Sequence, residues 1–187
     1  MDIHIIKRIL IKLAALISIL LPWHISQASV DKIEFKIGEL APEFSLYDQN
    51  NKLQTLSNYQ GQWLVIYFYP KDDTPGCTRE ACNFRDDISK IQELNSRVIG
   101  ISIDDISSHK EFSEKYNLPF PLLADPEGVT AKKYAAFFSL GPIRFAKRHS
   151  FIISPEGRIS KIYRDVDVKT HSQEIISDLT KLINHPE

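Results

Sequence analysis

Short runs of apolar residues, bounded by polar and turn-forming residues, recur along this chain and predict β-strands. Three runs are rich in β-branched and aromatic residues, as strands buried on both faces of a sheet tend to be: residues 63–69, 98–103 and 150–153. Two further runs flank four polar residues that can form the turn of a hairpin: residues 43–46 and 52–56. A Ser-Pro-Glu-Gly turn after the run at 150–153 predicts another hairpin with residues 158–163.

Helical periodicity lies between and after these runs. Apolar residues that recur every three or four positions predict one long helix with a buried stripe: Ala81, Phe84, Ile88, Ile91 and Leu94. Ser107 or Ser108 can cap a second helix that ends at Tyr116. Thr170 and Gln173 have the spacing of a capping box, which predicts the start of a final helix.

Strands that alternate with helices and close with a hairpin indicate a mixed sheet with helices on both faces. We therefore predict an α/β fold of the thioredoxin-like kind, in which an N-terminal hairpin precedes a mixed sheet sandwiched by helices. Such a fold is compatible with many activities. The function must therefore be inferred from particular residues.

The first 28 residues have the layout of a secretory signal peptide. Three basic residues precede an apolar run at residues 13–21, and Ser26 and Ala28 offer small residues before a cleavage point. A membrane-spanning helix needs roughly 20 apolar residues, about twice the length of this run. We predict that residues 1–28 are a signal peptide, with an uncleaved anchor as the alternative. Residues 29–187 would then be a single exported domain, periplasmic or extracytoplasmic, without stable membrane insertion.

Composition and charge exclude several classes of protein. With 43% hydrophobic and 25% charged residues among 187, the chain can bury one core. Lys and Arg total 23 against 24 for Asp and Glu, so no basic surface favours nucleic acid as a partner. Two cysteines are too few for a disulfide-built miniprotein. The histidines after the leader show no metal-ligand spacing with either cysteine, and we predict neither a metal nor another cofactor: His109, His149, His171 and His185.

The segment from Tyr67 to Cys82 carries the candidate chemistry. A hydrophobic strand enters a turn rich in Pro, Asp and Gly, and the turn places Cys77 in the first turn of a helix. The free NH groups and the positive end of the helix dipole stabilise an anion there, which favours the thiolate. A thiolate is the nucleophile for attack on a disulfide or a peroxide. The alternative is a small buried cysteine. The sequence disfavours it, because Pro-Gly and Thr-Arg flank Cys77 ahead of the apolar stripe.

Cys82 follows Cys77 by five residues. In an α-helix that spacing separates the two Cα atoms by roughly 8 to 9 Å and turns them about 140° apart. A disulfide needs Cα atoms within about 7 Å. The two cysteines therefore cannot bond across an intact helix, and the first turn must unwind before a bridge forms. The alternative is a permanent structural disulfide in an exported protein, but so short a loop would contribute little stability.

These residues resemble the active site of the peroxiredoxins. Pro70, Thr74 and Cys77 match the motif Pro-x-x-x-Thr-x-x-Cys, and Cys82 lies where the bacterioferritin comigratory protein, or peroxiredoxin Q, subfamily has its resolving cysteine. The resemblance covers about residues 35–184. It includes an opening strand and a later strand that bears an arginine: residues 37–46 and 148–153.

The resemblance implies a thiol-dependent peroxidase that reduces hydrogen peroxide and organic hydroperoxides. Cys77 would be the peroxidatic cysteine and form a sulfenic acid, and Cys82 would resolve it as an intramolecular disulfide. A thioredoxin-like protein would then reduce the disulfide. An exported protein would not meet cytosolic thioredoxin, so the reductant is left open. We expect a monomer.

The resemblance also implies roles for four neighbours of Cys77. Thr74 would bind the peroxide oxygens and Pro70 would shield the site from water. Arg148 would hold the thiolate and polarise the peroxide, and Glu80 would orient that arginine. Spacing alone favours simpler interpretations, in which Arg148 is a solvated charge at a sheet edge and Glu80 a surface carboxylate. Thr74 can equally be a helix cap or turn residue.

Two features complicate the match. Residues 137–145 are unusually apolar, and they can cover the active site, pack against a second subunit or fill the core; we expect core or loop packing. Arg144 is an alternative to Arg148 as the active-site arginine.

Two other functions are compatible with the sequence. The first is an exported thiol-disulfide oxidoreductase that acts on protein disulfides. Such proteins use Cys-x-x-Cys, whereas four residues separate Cys77 and Cys82. The second is a non-enzymatic binding domain with a structural disulfide.

Overall fold

The computed structural model describes residues 35–184, and the predictions for the leader and its cleavage lie outside them. Within these residues the elements in chain order are β1 (Ser45–Asp48), β2 (Leu53–Thr55), a 3₁₀ helix (Leu56–Tyr59), β3 (Trp63–Phe68), α1 (Pro75–Asp86), α2 (Ile88–Glu93), β4 (Ser96–Ser102), α3 (Ile106–Tyr116), β5 (Leu122–Ala124), α4 (Val129–Lys133), β6 (Phe137–Leu140), β7 (Ile143–Ala146), β8 (Ser150–Ile153), β9 (Ile159–Tyr163) and α5 (His171–Asn184). No helix in this part of the chain has both the length and the apolar composition needed to cross a membrane.

Seven of the strands form one mixed sheet in the order β2-β1-β5-β4-β3-β8-β9. The three central strands β3, β4 and β5 are parallel, and the pairs on either side of them are antiparallel. Parallel strands need crossovers on the sheet faces, so the central strands are covered and become continuously apolar. The predicted mixed sheet, with an N-terminal hairpin formed by β1 and β2, is confirmed.

The sheet separates two hydrophobic layers. Along β3, Leu64, Ile66 and Phe68 enter one layer, while Val65 and Tyr67 enter the other, because successive strand residues point to opposite faces. The layer on the Tyr67 side is filled by α1, α2, α3 and α5. The layer on the opposite side is closed by α4 and the residues around it. Helices thus cover both faces, as predicted.

The long helix predicted through residues 81–94 is two helices. Asp87 separates α1 from α2, with φ −98° and ψ 5°. Its carboxylate accepts hydrogen bonds from Ser172 and Gln173 of α5 and from Lys90. The partners on α5 are distant in sequence, and therefore the local apolar periodicity does not reveal the break.

Two predicted helix caps are also wrong. The N-cap of α3 is Asp105, whose carboxylate accepts from the Ser108 backbone NH at 2.8 Å, and Ser108 lies inside the helix. At the start of α5, the backbone NH of Thr170 donates to the Asp167 carbonyl, and the Gln173 amide is engaged with Asp87. The Thr170 NH therefore bonds within its own turn, and the Gln173 side chain turns its amide nitrogen to Asp87.

The apolar segment at residues 137–145 forms a separate hairpin of β6 and β7. Phe137 packs against the core beside Gly128, where a Cβ would approach the Phe137 ring to 2.2 Å. Phe138 and Phe145 stack across the hairpin at 4.8 Å between ring centroids. Leu140 and Ile143 at its tip are exposed. Part of the segment therefore packs against the core, as expected, and part faces solvent.

Candidate active site

The site lies at the carboxyl end of β3, where the chain passes directly into α1. Pro75, Gly76 and Cys77 are the first three residues of α1, and Thr74 is its N-cap. Proline is tolerated in a first helical turn because its missing NH would have no partner there. Cys77 is thus the third residue of the helix and lies in its first turn, as predicted.

Cys77 is buried, with 1% of its surface exposed. The prediction that it would point away from the core was wrong. Cys77, Ala81 and Phe84 are spaced i, i+4 and i+7, so the cysteine begins the stripe that α1 packs against the sheet. The polar residues that flank Cys77 lie on the other faces of the same turn. A buried sulfur in the first helical turn is nevertheless the nucleophile candidate, because a cation reaches it.

That cation is Arg148, which follows β7 and precedes β8. The backbone NH of Phe68 donates to the His149 carbonyl at 2.8 Å, which fixes the 147–149 segment beside the end of β3. Arg148 Nη2 then lies 3.3 Å from Cys77 Sγ. Arg144, the alternative arginine, donates to the Pro126 carbonyl at 3.1 Å instead. The structure therefore brings Arg148 to the sulfur.

Glu80 holds the other side of the guanidinium. Arg148 Nη1 donates to Glu80 Oε2, and the Glu80 side chain is fully buried while that of Arg148 is 23% exposed. Burial raises the pKa of Glu80 from its ordinary value of 4.5 to about 7, although Arg148 opposes the shift. Among the described residues, Glu80 Oε1 has no hydrogen-bond partner. Glu80 is therefore a buried group and not the surface carboxylate that spacing alone favoured.

Thr74 and Pro70 lie in the loop that joins β3 to α1. The Thr74 hydroxyl donates to the Lys71 carbonyl at 3.0 Å and makes no side-chain cap bond to α1. Pro70 is half-buried. In this conformation the Thr74 hydroxyl stabilises the loop, and its hydrogen must leave the Lys71 carbonyl before it can be donated to a substrate.

Cys82 lies further along the same unbroken helix. Both cysteines are free, with Cys77 buried and Cys82 half-buried. Since α1 is helical from Pro75 to Asp86, the separation of roughly 8 to 9 Å expected for five helical residues applies. The two sulfurs can meet only after part of α1 unwinds.

Comparison with known proteins identifies the family. The model of the AhpC/TSA family matches residues 37–162. The chain belongs to this family. It is 42% identical to peroxiredoxin Bcp of Bacillus subtilis over 152 residues, which are 77% of this chain and 94% of the relative. These similarities place it in the Bcp, or peroxiredoxin Q, subfamily of peroxiredoxins, as the motif suggested.

Solved structures show the same fold. The crystal structure of peroxidoxin BcpB from Mycobacterium tuberculosis matches with a TM-score of 0.75 and 28% identity, over 80% of this chain and 99% of that one. A bacterioferritin comigratory protein from Xanthomonas campestris, described for its alkyl peroxide reduction activity, matches with a TM-score of 0.71 and 30% identity, over 75% of this chain and 91% of that one. The thioredoxin-like peroxiredoxin fold is confirmed.

Sequence reasoning missed a buried polar network that anchors the active-site loop of this peroxiredoxin. The Asp72 carboxylate accepts from the Tyr69 hydroxyl at 2.7 Å, from the Ser108 hydroxyl at 2.8 Å and from His109 Nδ1 at 2.8 Å. The backbone NH of Asp72 donates to Asp104 at 2.9 Å. These bonds join the loop to the start of α3. Two features of the sequence could have indicated this network: the pair of aspartates inside the loop, and a histidine on the apolar face of a helix.

A second missed group surrounds Tyr67. Its ring fills the space above Gly100, where a Cβ would lie 2.7 Å from the Tyr67 Cζ. Beside it in the sheet register is Ser150, whose hydroxyl lies 2.9 Å from His171 Nε2. Burial, and then the charge of Arg148, lower the pKa of His171 to about 4, so this histidine is neutral near pH 7. His171 therefore adds no second positive charge beside Arg148.

Proposed function

We propose that this peroxiredoxin reduces hydrogen peroxide and organic hydroperoxides with Cys77 as the nucleophile. The observation that carries the proposal is the 3.3 Å approach of Arg148 Nη2 to Cys77 Sγ in the first turn of α1. A guanidinium stays charged and offers fixed donors, which stabilise both a thiolate and the charge that develops on a peroxide oxygen. The alkyl peroxide activity described for the Xanthomonas campestris protein supports the substrate class.

In the first step the Cys77 thiolate attacks one peroxide oxygen. The S–O bond forms as the O–O bond breaks, and the leaving oxygen takes a proton and departs as water or an alcohol. Arg148 and the free NH groups of the first turn of α1 are placed to donate to the reacting oxygens. Thr74 would join them after its hydroxyl leaves the Lys71 carbonyl. Pro70 would limit access of water.

In the second step Cys82 resolves the sulfenic acid. The Cys82 thiolate attacks the Cys77 sulfur, the S–O bond breaks, and the departing hydroxide takes a proton to become water. Because intact α1 keeps the sulfurs apart, the turns between them must unwind first. A thioredoxin-like reductant would then return both thiols. The cycle needs no metal or organic cofactor.

The test is a single-turnover reaction of the reduced protein with hydrogen peroxide, followed by rapid quench and intact mass. We expect wild type to lose two thiol hydrogens, Cys82→Ser to gain one oxygen, and Cys77→Ser to stay unmodified on the same timescale. Normal oxidation of Cys77→Ser would refute the assignment. Insulin reduction, measured in parallel, separates this activity from that of a thiol-disulfide oxidoreductase.

A matched pair of arginine variants tests the site itself. Arg148→Met should slow the peroxide step by roughly 10²-fold, in the range found when one transition-state donor is removed. Arg144→Met removes a nearby arginine that contacts the Pro126 carbonyl and should leave the rate unchanged. Equal rates in the two variants would show that Arg148 does not act on the reaction.

Export, the boundary at residues 28 and 29, and a monomeric state remain proposals that rest on the sequence. Cell fractionation combined with the N-terminal sequence of the recovered protein tests the first two. Size-exclusion chromatography with light scattering, on both reduced and oxidised protein, tests the third.

A further inference from the structure

One buried carboxylate holds the loop between β3 and α1 against α3. Asp72 is 7% exposed, and its two oxygens accept from three groups: the Tyr69 hydroxyl, the Ser108 hydroxyl and His109 Nδ1. A buried carboxylate is costly unless donors surround it, so these contacts favour one position of Asp72. Ser108 and His109 belong to α3, which is not the helix that carries Cys77.

The His109 ring is fully buried and directs one nitrogen at this carboxylate. A carboxylate only accepts, so Nδ1 carries the hydrogen and donates it to Asp72. Within residues 35–184, His109 Nε2 has no hydrogen-bond partner. An apolar side chain at this position would leave no unpaired buried atom, so an imidazole is a poor choice for fold stability alone. The contact with Asp72 is what distinguishes the histidine.

Asp72 lies in the middle of the loop that begins α1. Its backbone NH donates to Asp104 at 2.9 Å, so the main chain is held as well as the side chain. Thr74 follows two residues later, and its carbonyl accepts from the Thr78 NH at 2.8 Å in the first turn of α1. Two residues span at most about 7 Å. Fixing Asp72 therefore restricts where Thr74 and the start of α1 can lie.

We propose that Asp72 and His109 are positioning residues for the peroxide step, because they hold the loop that presents Thr74 and the first turn of α1 to the substrate. The inference rests on the proposed function, in which Cys77 attacks the peroxide. Both residues act through the loop. None of their contacts uses a residue of α1, so the unwinding needed for disulfide formation leaves them intact. The loop then remains a fixed point from which the first turn of α1 reforms.

Two substitutions of His109 separate positioning from stability. The measurement is the second-order rate of Cys77 oxidation by hydrogen peroxide, taken on the reduced full chain at a temperature where circular dichroism shows it fully folded. We expect His109→Leu to slow this rate about tenfold or more, because a shift of about 1 Å in a positioned group can cost roughly 10²-fold. His109→Asn keeps an amide donor near the place of Nδ1 and should stay within about threefold of wild type.

A pair of tyrosine variants supplies a milder test with a matched control. Tyr69→Phe removes the hydroxyl that donates to Asp72 at 2.7 Å, and Tyr163→Phe removes one that donates to Asp178 at 2.8 Å, between β9 and α5. Each variant loses one hydrogen bond to a carboxylate. Tyr69→Phe should slow Cys77 oxidation about three- to tenfold, the effect of one such bond on an equilibrium between loop positions. Tyr163→Phe should leave the rate unchanged. If His109→Leu does not fold, this pair replaces it.

A purely structural role predicts a different pattern, in which the variants unfold at lower urea concentration but the folded molecules react at the wild-type rate. The proposal is overturned by that pattern in His109→Leu or Tyr69→Phe, by His109→Asn as slow as His109→Leu, or by equal slowing in Tyr163→Phe. Failure of the proposed function gives another result, because Cys77 of the wild-type chain would then not react with peroxide at all.

Discussion

Glu80→Gln isolates the energetic consequence of burying a carboxylate beside the active-site arginine. The side chain keeps its shape, and its amide oxygen can still accept from Arg148, but it no longer titrates. Burial raises the pKa of Glu80 from 4.5 to about 7. One pKa unit corresponds to about 1.4 kcal/mol, so the shift amounts to about 3 kcal/mol. Glu80 is deeply buried, and solvent screening does not reduce this figure much.

The direction of the pH effect on stability depends on which state, folded or unfolded, binds the Glu80 proton more tightly. The folded protein binds the Glu80 proton at a higher pH than the unfolded chain does. The stability from this group is therefore complete below pH 4.5 and is lost as the pH rises to about 7. Wild type should lose about 3 kcal/mol relative to the variant across this interval.

Urea unfolding of both proteins, reduced, at several pH values from below 4.5 to above 7 provides the measurement. The difference between the two free energies of unfolding removes the groups that both proteins share. The free-energy cost of burying the variant's amide group without a partner does not depend on pH, so it shifts the whole curve by a constant. Parallel curves would refute the reasoning, since they would mean that Glu80 does not change its protonation between the folded and unfolded states in this interval.

Three further predictions concern the structure around the site. Gly100→Ala should destabilise the fold by about 1–3 kcal/mol in urea, because its Cβ would lie 2.7 Å from the Tyr67 ring; a change below about 0.5 kcal/mol would contradict this packing. Because the pKa of His171 is lowered to about 4, wild type should lose stability relative to His171→Gln as the pH falls from 6.5 to 4, whereas a constant difference would contradict a buried neutral ring. Asp87→Asn should cost about 1–3 kcal/mol in thermal unfolding, since its carboxylate accepts from Ser172; an unchanged midpoint would exclude that role.

The sequence was enough to predict the strands that are buried along their whole length. The strands at residues 63–69, 98–103 and 150–153 were found within about two residues of their observed bounds, because strands covered on both faces are apolar throughout. β5 and α4 were missed. Each is only three or five residues long, which is too short for a periodic pattern.

For the candidate site, the sequence indicated residues that lie close together but not how they are buried. The motif and the family resemblance named Cys77, Arg148 and Glu80, and the structure brings these three together. Their burial was not visible, because the neighbours of Cys77 in sequence are polar while its neighbours in space are Ala81 and Phe84. The break at Asp87 was hidden for the same reason, since α5 supplies its partners.

The stripe of α1 that carries Cys77 also holds the helix on the sheet. In the proposed cycle each turnover therefore unfolds part of the hydrophobic core and exposes Ala81 and its apolar neighbours to solvent. Oxidised molecules would be the ones most readily cut by proteases and most prone to aggregate. A steady supply of reductant would then determine how long the protein survives, as well as how fast it works.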